Sequence, residues 1–319
     1  MVLRALIPAV LTLAVGAGGA AATPTGGTPA VFVSAERASL LVGVDLTTGR
    51  VIARIRVPEG PHNVTSYSAR YVLVTSPPAG AVTLVDAFSR RIIKTWRGFG
   101  SPHDIEVDGD YAYVTDESRG QLAVIDLTRR KVVAKVAVGP RPHDVAVGDV
   151  ALVTHGSGQP ELTIVDDSHP RRPKVLAELD VGGAAHDISD QGDSANAYVT
   201  YWNSGAVGAV DWGRRRMLWR RSVGTLVHHV QVDPYRGWRL WVTDHETGDL
   251  VLLSARNGLA LRRLRGCPGA HHVALAGTAW VAVACHDADT LAVWNTKSWQ
   301  RRLIRVGDGP HGVAEVVLP

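Results

Sequence analysis

The chain has 319 residues, with 34 Lys and Arg against 30 Asp and Glu and a formal net charge of +4 at pH 7 when histidine is neutral. Its basic residues are scattered among acidic ones rather than massed in one run, which argues against a nucleic-acid partner. The length exceeds that of an average domain yet suits an all-β repeat fold built as one unit.

Met1 to Arg4 open the chain, an apolar stretch follows from about Ala5 to Val15, and Ala20, Ala21 and Ala22 precede Thr23-Pro24. The stretch is interrupted by Pro8 and is shorter than the roughly 20 apolar residues of a membrane span. It reads as a secretory signal over residues 1–22, leaving a mature chain of 23–319 that is periplasmic, secreted or held at the cell surface. An uncleaved anchor is the competing reading, weakened because no stop-transfer pattern follows. The mature chain is expected to have no membrane span, and there is no lipobox cysteine.

Three runs of strand character come next, Ala30–Ser34, Ser39–Asp45 and Val51–Val57, before a phrase that returns along the whole chain. Its copies are Pro61-His62-Asn63-Val64, Pro102-His103-Asp104-Ile105, Pro142-His143-Asp144-Val145, Ala185-His186-Asp187-Ile188, Val227-His228-His229-Val230, Ala270-His271-His272-Val273 and Pro310-His311-Gly312-Val313. The first histidines are spaced by 41, 40, 43, 42, 43 and 40 residues. Between them recurs a second phrase, as in Tyr113-Val114-Thr115-Asp116, Leu152-Val153-Thr154-His155, Tyr198-Val199-Thr200-Tyr201 and Trp241-Val242-Thr243-Asp244. An alternating run such as Leu122 to Asp126 and a last run such as Lys131 to Val138 complete each interval. Alternating, β-branched runs bounded by Gly, Asp and Pro read as strands, and four strands per forty residues make a propeller blade. The predicted fold is therefore all-β, a seven-bladed β-propeller with four-stranded blades. His311–Leu318 is expected to pair with Ala30–Ser34 and close the last blade from both chain ends, which removes open sheet edges.

These tandem phrases resemble the YVTN-type β-propeller repeat family, which is similar to the haem d1-binding propeller of nitrite reductases. The resemblance runs from about Val31 to Leu318 and implies the fold; members of the group include surface proteins, cofactor-binding domains and enzymes. The later copies depart from the pattern, with Val227 and Ala270 in place of proline and His229 and His272 in place of Asp or Gly.

Strand order places the loop entering each innermost strand and the loop after each second strand on one face. His62, His103, His143, His186, His228, His271 and His311 should thus form an inner ring around one mouth of the channel. His229 and His272 are expected at the same level, as are His155, His245 and His286 at the ends of second strands. Only His169 of the 13 histidines falls elsewhere. Imidazole is a common ligand of transition metals, and its second nitrogen usually needs an orienting acceptor. Asp104, Asp144, Asp187, Asp116, Asp244 and Asp287 are candidates for that role. The metal-ligand candidates are His62, His103, His143, His186, His228, His229, His271, His272, His286 and His311, with the pairs at 228–229 and 271–272 foremost. Few carboxylates directly alongside would favour a borderline transition metal, copper or zinc first, over calcium or magnesium. Iron, or a noncovalent tetrapyrrole capping the channel with one axial histidine, is the other option, since there is no CxxCH attachment motif.

A histidine before Asp or Gly at this loop can also be purely structural, fixing the loop through a backbone hydrogen bond. Three functions therefore stay open: a metal- or metallocofactor-binding propeller, a metal-assisted lyase or oxidoreductase with His228 or His271 as base, and a noncatalytic interaction scaffold. The expected ligand is a metal or small molecule at the mouth, and the expected state a monomer.

Cys267 and Cys285 fall in two loops of the same face. In an exported protein they read as a disulfide bracing the mouth, with thiolate ligation of a metal by Cys285 beside His286 as the rival. Asp45, Asp86, Asp126, Asp166 and Asp211, which end third strands, read as turn formers. Arg214-Arg215-Arg216 and Arg301-Arg302 read as solvated surface, and Tyr201 and Trp202 either flank a bound organic ligand or, as aromatic residues at blade tips more often do, pack against neighbours. No nucleophile elbow, P-loop, dinucleotide fingerprint or HExxH helix is present.

Overall fold

The computed structural model describes residues 27–156, 161–190 and 195–319. The signal segment expected over residues 1–22 lies outside the described residues. Seven four-stranded antiparallel sheets stand around a common axis, as the seven phrases require. In the blade that starts at His62, the strands from axis to rim are Val64–Tyr67, Tyr71–Ser76, Ala81–Asp86 and Arg91–Arg97. The last blade joins Pro310–Leu318 to Thr28–Ala35, Leu40–Asp45 and Arg50–Arg56, with Ala30 opposite Val316 and Val33 opposite Val313. The ring is thus closed by hydrogen bonds between the two ends of the chain. Among the described residues no helix is long and apolar enough to cross a membrane.

Each sheet is covered on both faces by its neighbours, so the second and third strands are apolar throughout rather than alternating. Ala81–Asp86 is buried along its whole length, whereas the outer strand Arg91–Arg97 is largely exposed. The core consequently lies between blades: one cluster combines Val31, Val33 and Val42 of the closing blade with Ala282, Leu291 and Val293 of the blade before it. Basic residues on the outer strands also tie neighbouring blades together. Arg54, Arg301 and Arg302 donate to the carbonyls of Val306, Arg265 and Thr47 at 2.8–3.0 Å, so Arg301 and Arg302 do more than face solvent. The third-strand aspartates are turn formers, as expected: Asp45 accepts from the amides of Thr47 and Thr48, and Asp86 from those of Phe88 and Ser89.

The recurrence of the two phrases has one mechanical cause. The threonine of the second phrase accepts from the amide after its own blade's ring histidine and donates to the carbonyl of the next ring histidine. Thr115, for example, accepts from Asp104 N at 2.9 Å and donates to His143 O at 2.7 Å. Thr75 bonds Asn63 N and His103 O, Thr154 bonds Asp144 N and His186 O, and Thr200 bonds Asp187 N and His228 O in the same way. Each buried hydroxyl satisfies two strand-end groups that have no sheet partner, which is the condition for holding them in the interior. In the His271 blade this position is Ala284, which cannot make the bond.

The residue after that threonine ties the loop ahead of the ring histidine. Ser76 Oγ donates to Pro58 O, Asp116 accepts from Gly100 and Ser101 amides, and Asp244 accepts from Thr225 and Leu226 amides. His155 and Tyr201 occupy the same column. His155 meets Pro140 O at 2.7 Å and Thr163 Oγ1 at 2.9 Å, while the Tyr201 hydroxyl donates to Val181 O. In the His271 blade, where the threonine is missing, the tie is covalent: Cys267 and Cys285 form a disulfide with Cα atoms 5.6 Å apart.

Candidate metal centre

The innermost strands bring all seven ring histidines into mutual contact. Ring centroids are 4.5 Å apart for His62–His103, 3.9 Å for His103–His143, 4.3 Å for His143–His186 and 4.9 Å for His186–His228. The circle continues at 3.8 Å for His228–His271, 4.3 Å for His271–His311 and 3.6 Å for His311–His62. A cavity of about 130 Å³ remains beneath them. That volume suits an ion and a water.

Several sequence expectations need correction here. His155 and Tyr201 are buried in loop ties and do not face the mouth. Asp116 and Asp244 spend their carboxylates on backbone amides rather than on imidazoles. His229 and His272 do not share the level of the ring. Neighbouring residues of an extended strand point different ways, so the residue after each ring histidine forms a second tier inside the channel: Asn63, Asp104, Asp144, Asp187, His229, His272 and Gly312. Carboxylates therefore do lie directly below part of the ring, contrary to expectation. Gly312 is required there, because a Cβ would stand 2.6 Å from His62 O and 2.7 Å from Val64 N. Trp202, in contrast, does flank the mouth, stacked on His186 at 5.1 Å with its edge toward His228 at 5.0 Å.

The second tier divides the ring chemically. Asp144 Oδ1 lies 3.4 Å from His103 Nδ1 and its Oδ2 3.3 Å from His143 Nδ1. Burial opposes a charge on His103, but the Asp144 and Asp104 carboxylates outweigh it and raise its pKa. Burial likewise opposes charge on Asp144, yet the His143 and His103 imidazoles hold it well below the usual carboxylate range. Across the channel no carboxylate sits beneath the ring. Burial, reinforced by neighbouring imidazoles, pushes His228, His271 and His311 well below the ordinary histidine value, so all three are neutral. Their Nδ1 atoms are buried without a hydrogen-bond partner, and one nitrogen from each lies within 4.8 Å of the others.

A second group overlaps the first. His245, His271 and His286 also offer nitrogens within 4.8 Å of one another, on the solvent side. His286 Nδ1 is 2.9 Å from Asp287 Oδ1, and Asp287 Oδ2 is 3.9 Å from His245 Nε2. Glu36 first and Asp287 next raise the His286 pKa against the effect of burial. Of the expected outer acceptors, Asp144 and Asp287 stand beside ring or mouth imidazoles. Asp187 serves the second tier, and Asp104 bonds Asn63 Nδ2 and Val145 N. His62 and His186 complete the circle outside both groups. The disulfide joins the loop before His271 to the residue before His286, as the mouth-bracing expectation held.

Comparison with known proteins supports the repeat and the fold. Residues 99–128 match the LVIVD repeat, a segment that contains Leu122-Ala123-Val124-Ile125-Asp126, so the repeat named by this match is LVIVD rather than YVTN. No curated protein sequence matches. Among solved structures, apo AztD from Citrobacter koseri is similar with a TM-score of 0.73 and 13% identity, over 91% of this chain and 98% of that one. The periplasmic gluconolactonase PpgL of Pseudomonas aeruginosa gives a TM-score of 0.72 and 20% identity, over 92% and 99% of the two chains. The dihydro-heme d1 dehydrogenase NirN gives 0.62 and 16%, over 89% and 74%. At these identities the likeness is one of fold, and that fold hosts unrelated chemistries.

Proposed function

We propose that the chain is an exported, monomeric propeller that binds one transition-metal ion, copper or zinc, through His228, His271 and His311, with His245 and His286 receiving the ion at the mouth. The observation that carries this reading is the convergence of three buried, neutral imidazoles, one nitrogen of each within 4.8 Å of the others, with no carboxylate in the group. Three imidazoles with one position open form the donor set of a catalytic-type zinc site, and the same nitrogen set suits copper. A neutral imidazole offers a single lone pair, so His271 serves one ion at a time, which makes the two groups alternative seats for the same ion. The periplasmic setting of PpgL and the disulfide fit an oxidising compartment.

The test is elemental analysis of the mature, untagged protein prepared without chelator, beside His271→Ala. The variant is expected to hold about one equivalent of copper or zinc less than the wild-type protein. A wild-type protein that is metal-free and takes up neither ion, or a variant that keeps its full complement, overturns the reading.

A further inference from the structure

Below the ring the channel widens into a cavity of about 440 Å³ that runs toward the turns between first and second strands. Among the described residues six carboxyl groups line it, those of Asp104, Glu106, Asp144, Asp187, Asp190 and Glu315, and no lysine or arginine does. Two imidazoles, His229 and His272, complete its upper wall. We propose that Asp187, His229 and His272 form a second divalent transition-metal site, separate from the mouth, with its open coordination position facing this acidic cavity.

The geometry is that of a donor set with its centre missing. One ligand atom from each residue lies within 4.8 Å of the other two, and the two imidazole rings are 4.2 Å apart. His229 Nε2 is 3.7 Å from Asp187 Oδ2. That is too long for a hydrogen bond, but it is close to the roughly 3.4 Å edge between two ligands of a tetrahedral zinc ion with bonds near 2.1 Å. Two imidazoles and one carboxylate, with the fourth position left to water or substrate, constitute a recognised catalytic zinc donor set. Ligation through Nε2 puts the His229 ring proton on Nδ1 and so gives up that atom's contact with Val273 N, which at 3.4 Å is weak.

The crowding of carboxyl groups points the same way: among the described residues the wall carries six of them and no compensating lysine or arginine. A divalent ion at Asp187 would supply the missing positive charge. This also accounts for the two histidines among the three departures from Asp or Gly: His229 and His272 are the second-tier residues grouped with Asp187 rather than extending the acidic row.

The site is tested by titrating metal-stripped mature protein with Co²⁺ in equilibrium dialysis, with X-ray absorption of the Zn²⁺-loaded form to count imidazoles. His271→Ala removes the mouth site, so this variant is expected to keep one tightly held ion with two imidazoles and a carboxylate. His229→Asn and His272→Asn added to it should remove that ion. Should the triple variant fail to fold, Asp187→Asn in the His271→Ala background takes its place, with affinity expected to fall at least about tenfold. Retention of one ion by the folded triple variant, unchanged affinity in Asp187→Asn, or no ion at all in His271→Ala would overturn the second site. A wild-type protein whose ion is lost with His271 but not with His229 and His272 would leave the mouth reading standing alone.

Discussion

Two sectors of one histidine ring, built on the same repeat, have opposite chemistry. Around Asp144, His103 and His143 face a carboxylate, and the His103 Nδ1 also lies 3.1 Å from a carbonyl acceptor at His143 O. Around His271, three imidazoles face one another, one nitrogen of each within 4.8 Å of the others, with no carboxylate in the group. The placement of Asp144 decides between them: it lies beside both His103 and His143, whereas His186, although followed by Asp187, is lowered by burial to about 3 and stays neutral. A scaffold requirement and a ligand set can therefore share one column of a repeat.

The sharpest way to break this comparison is to remove one histidine from each sector. His271→Ala should weaken zinc or copper binding at the mouth at least about a hundredfold, as expected for loss of a direct ligand shared by both mouth donor groups. His103→Ala should leave affinity unchanged while lowering the unfolding midpoint, and competition with a metal indicator reads the first effect. Cys267→Ser with Cys285→Ser should cost about 3 kcal/mol of stability for a bridge of this loop length, measured by urea unfolding of the metal-free protein. The same change should loosen the mouth, because Ala284 provides no hydroxyl to take over.

Asp144→Asn should cost about 2 kcal/mol, the scale of a lost charge-assisted bond, and should also change the pH profile. His103 has a raised folded pKa, so its contribution is complete below its unfolded value near 6.5 and is lost as pH rises through the folded value. Asp144 has a depressed one, so its contribution is complete above about 3.9 and is lost as pH falls through the folded value. The pair therefore stabilises in full between about pH 4 and 6.5, and urea midpoints taken from pH 6 to 9 should decline less in Asp144→Asn than in wild type. Smallest is Thr154→Val, which removes one hydroxyl serving Asp144 N and His186 O and should cost about 1 kcal/mol with no change in metal affinity.

The fold was legible because each blade repeats its phrases at near-constant spacing, and the two partial ends at Thr28 and Leu318 match only as one blade. The ring was legible for the same reason, since seven histidines hold one position in seven equivalent loops. The two-tier arrangement was missed although His228-His229 and His271-His272 contain the signal: adjacent residues of an extended strand cannot point at the same place. The status of His155 and Tyr201 was also readable. Aligning Ser76, Asp116, His155, Tyr201, Asp244 and Cys285 gives a column whose common property is a tie to the preceding loop, and only in the last of them is that tie covalent. The charge division of the ring was not readable, because it depends on which second-tier side chains meet which imidazoles across neighbouring blades.

The most direct test is the imidazole nitrogen NMR spectrum of the metal-free mature protein at pH 6, recorded before and after one equivalent of Zn²⁺. His228, His271 and His311 should show the shifts of neutral rings and move on zinc addition, whereas His103 should show a protonated ring and stay in place. Zinc-induced shifts confined to His103 and His143, or protonated rings at His228, His271 and His311, would contradict the division of the ring on which the metal site rests.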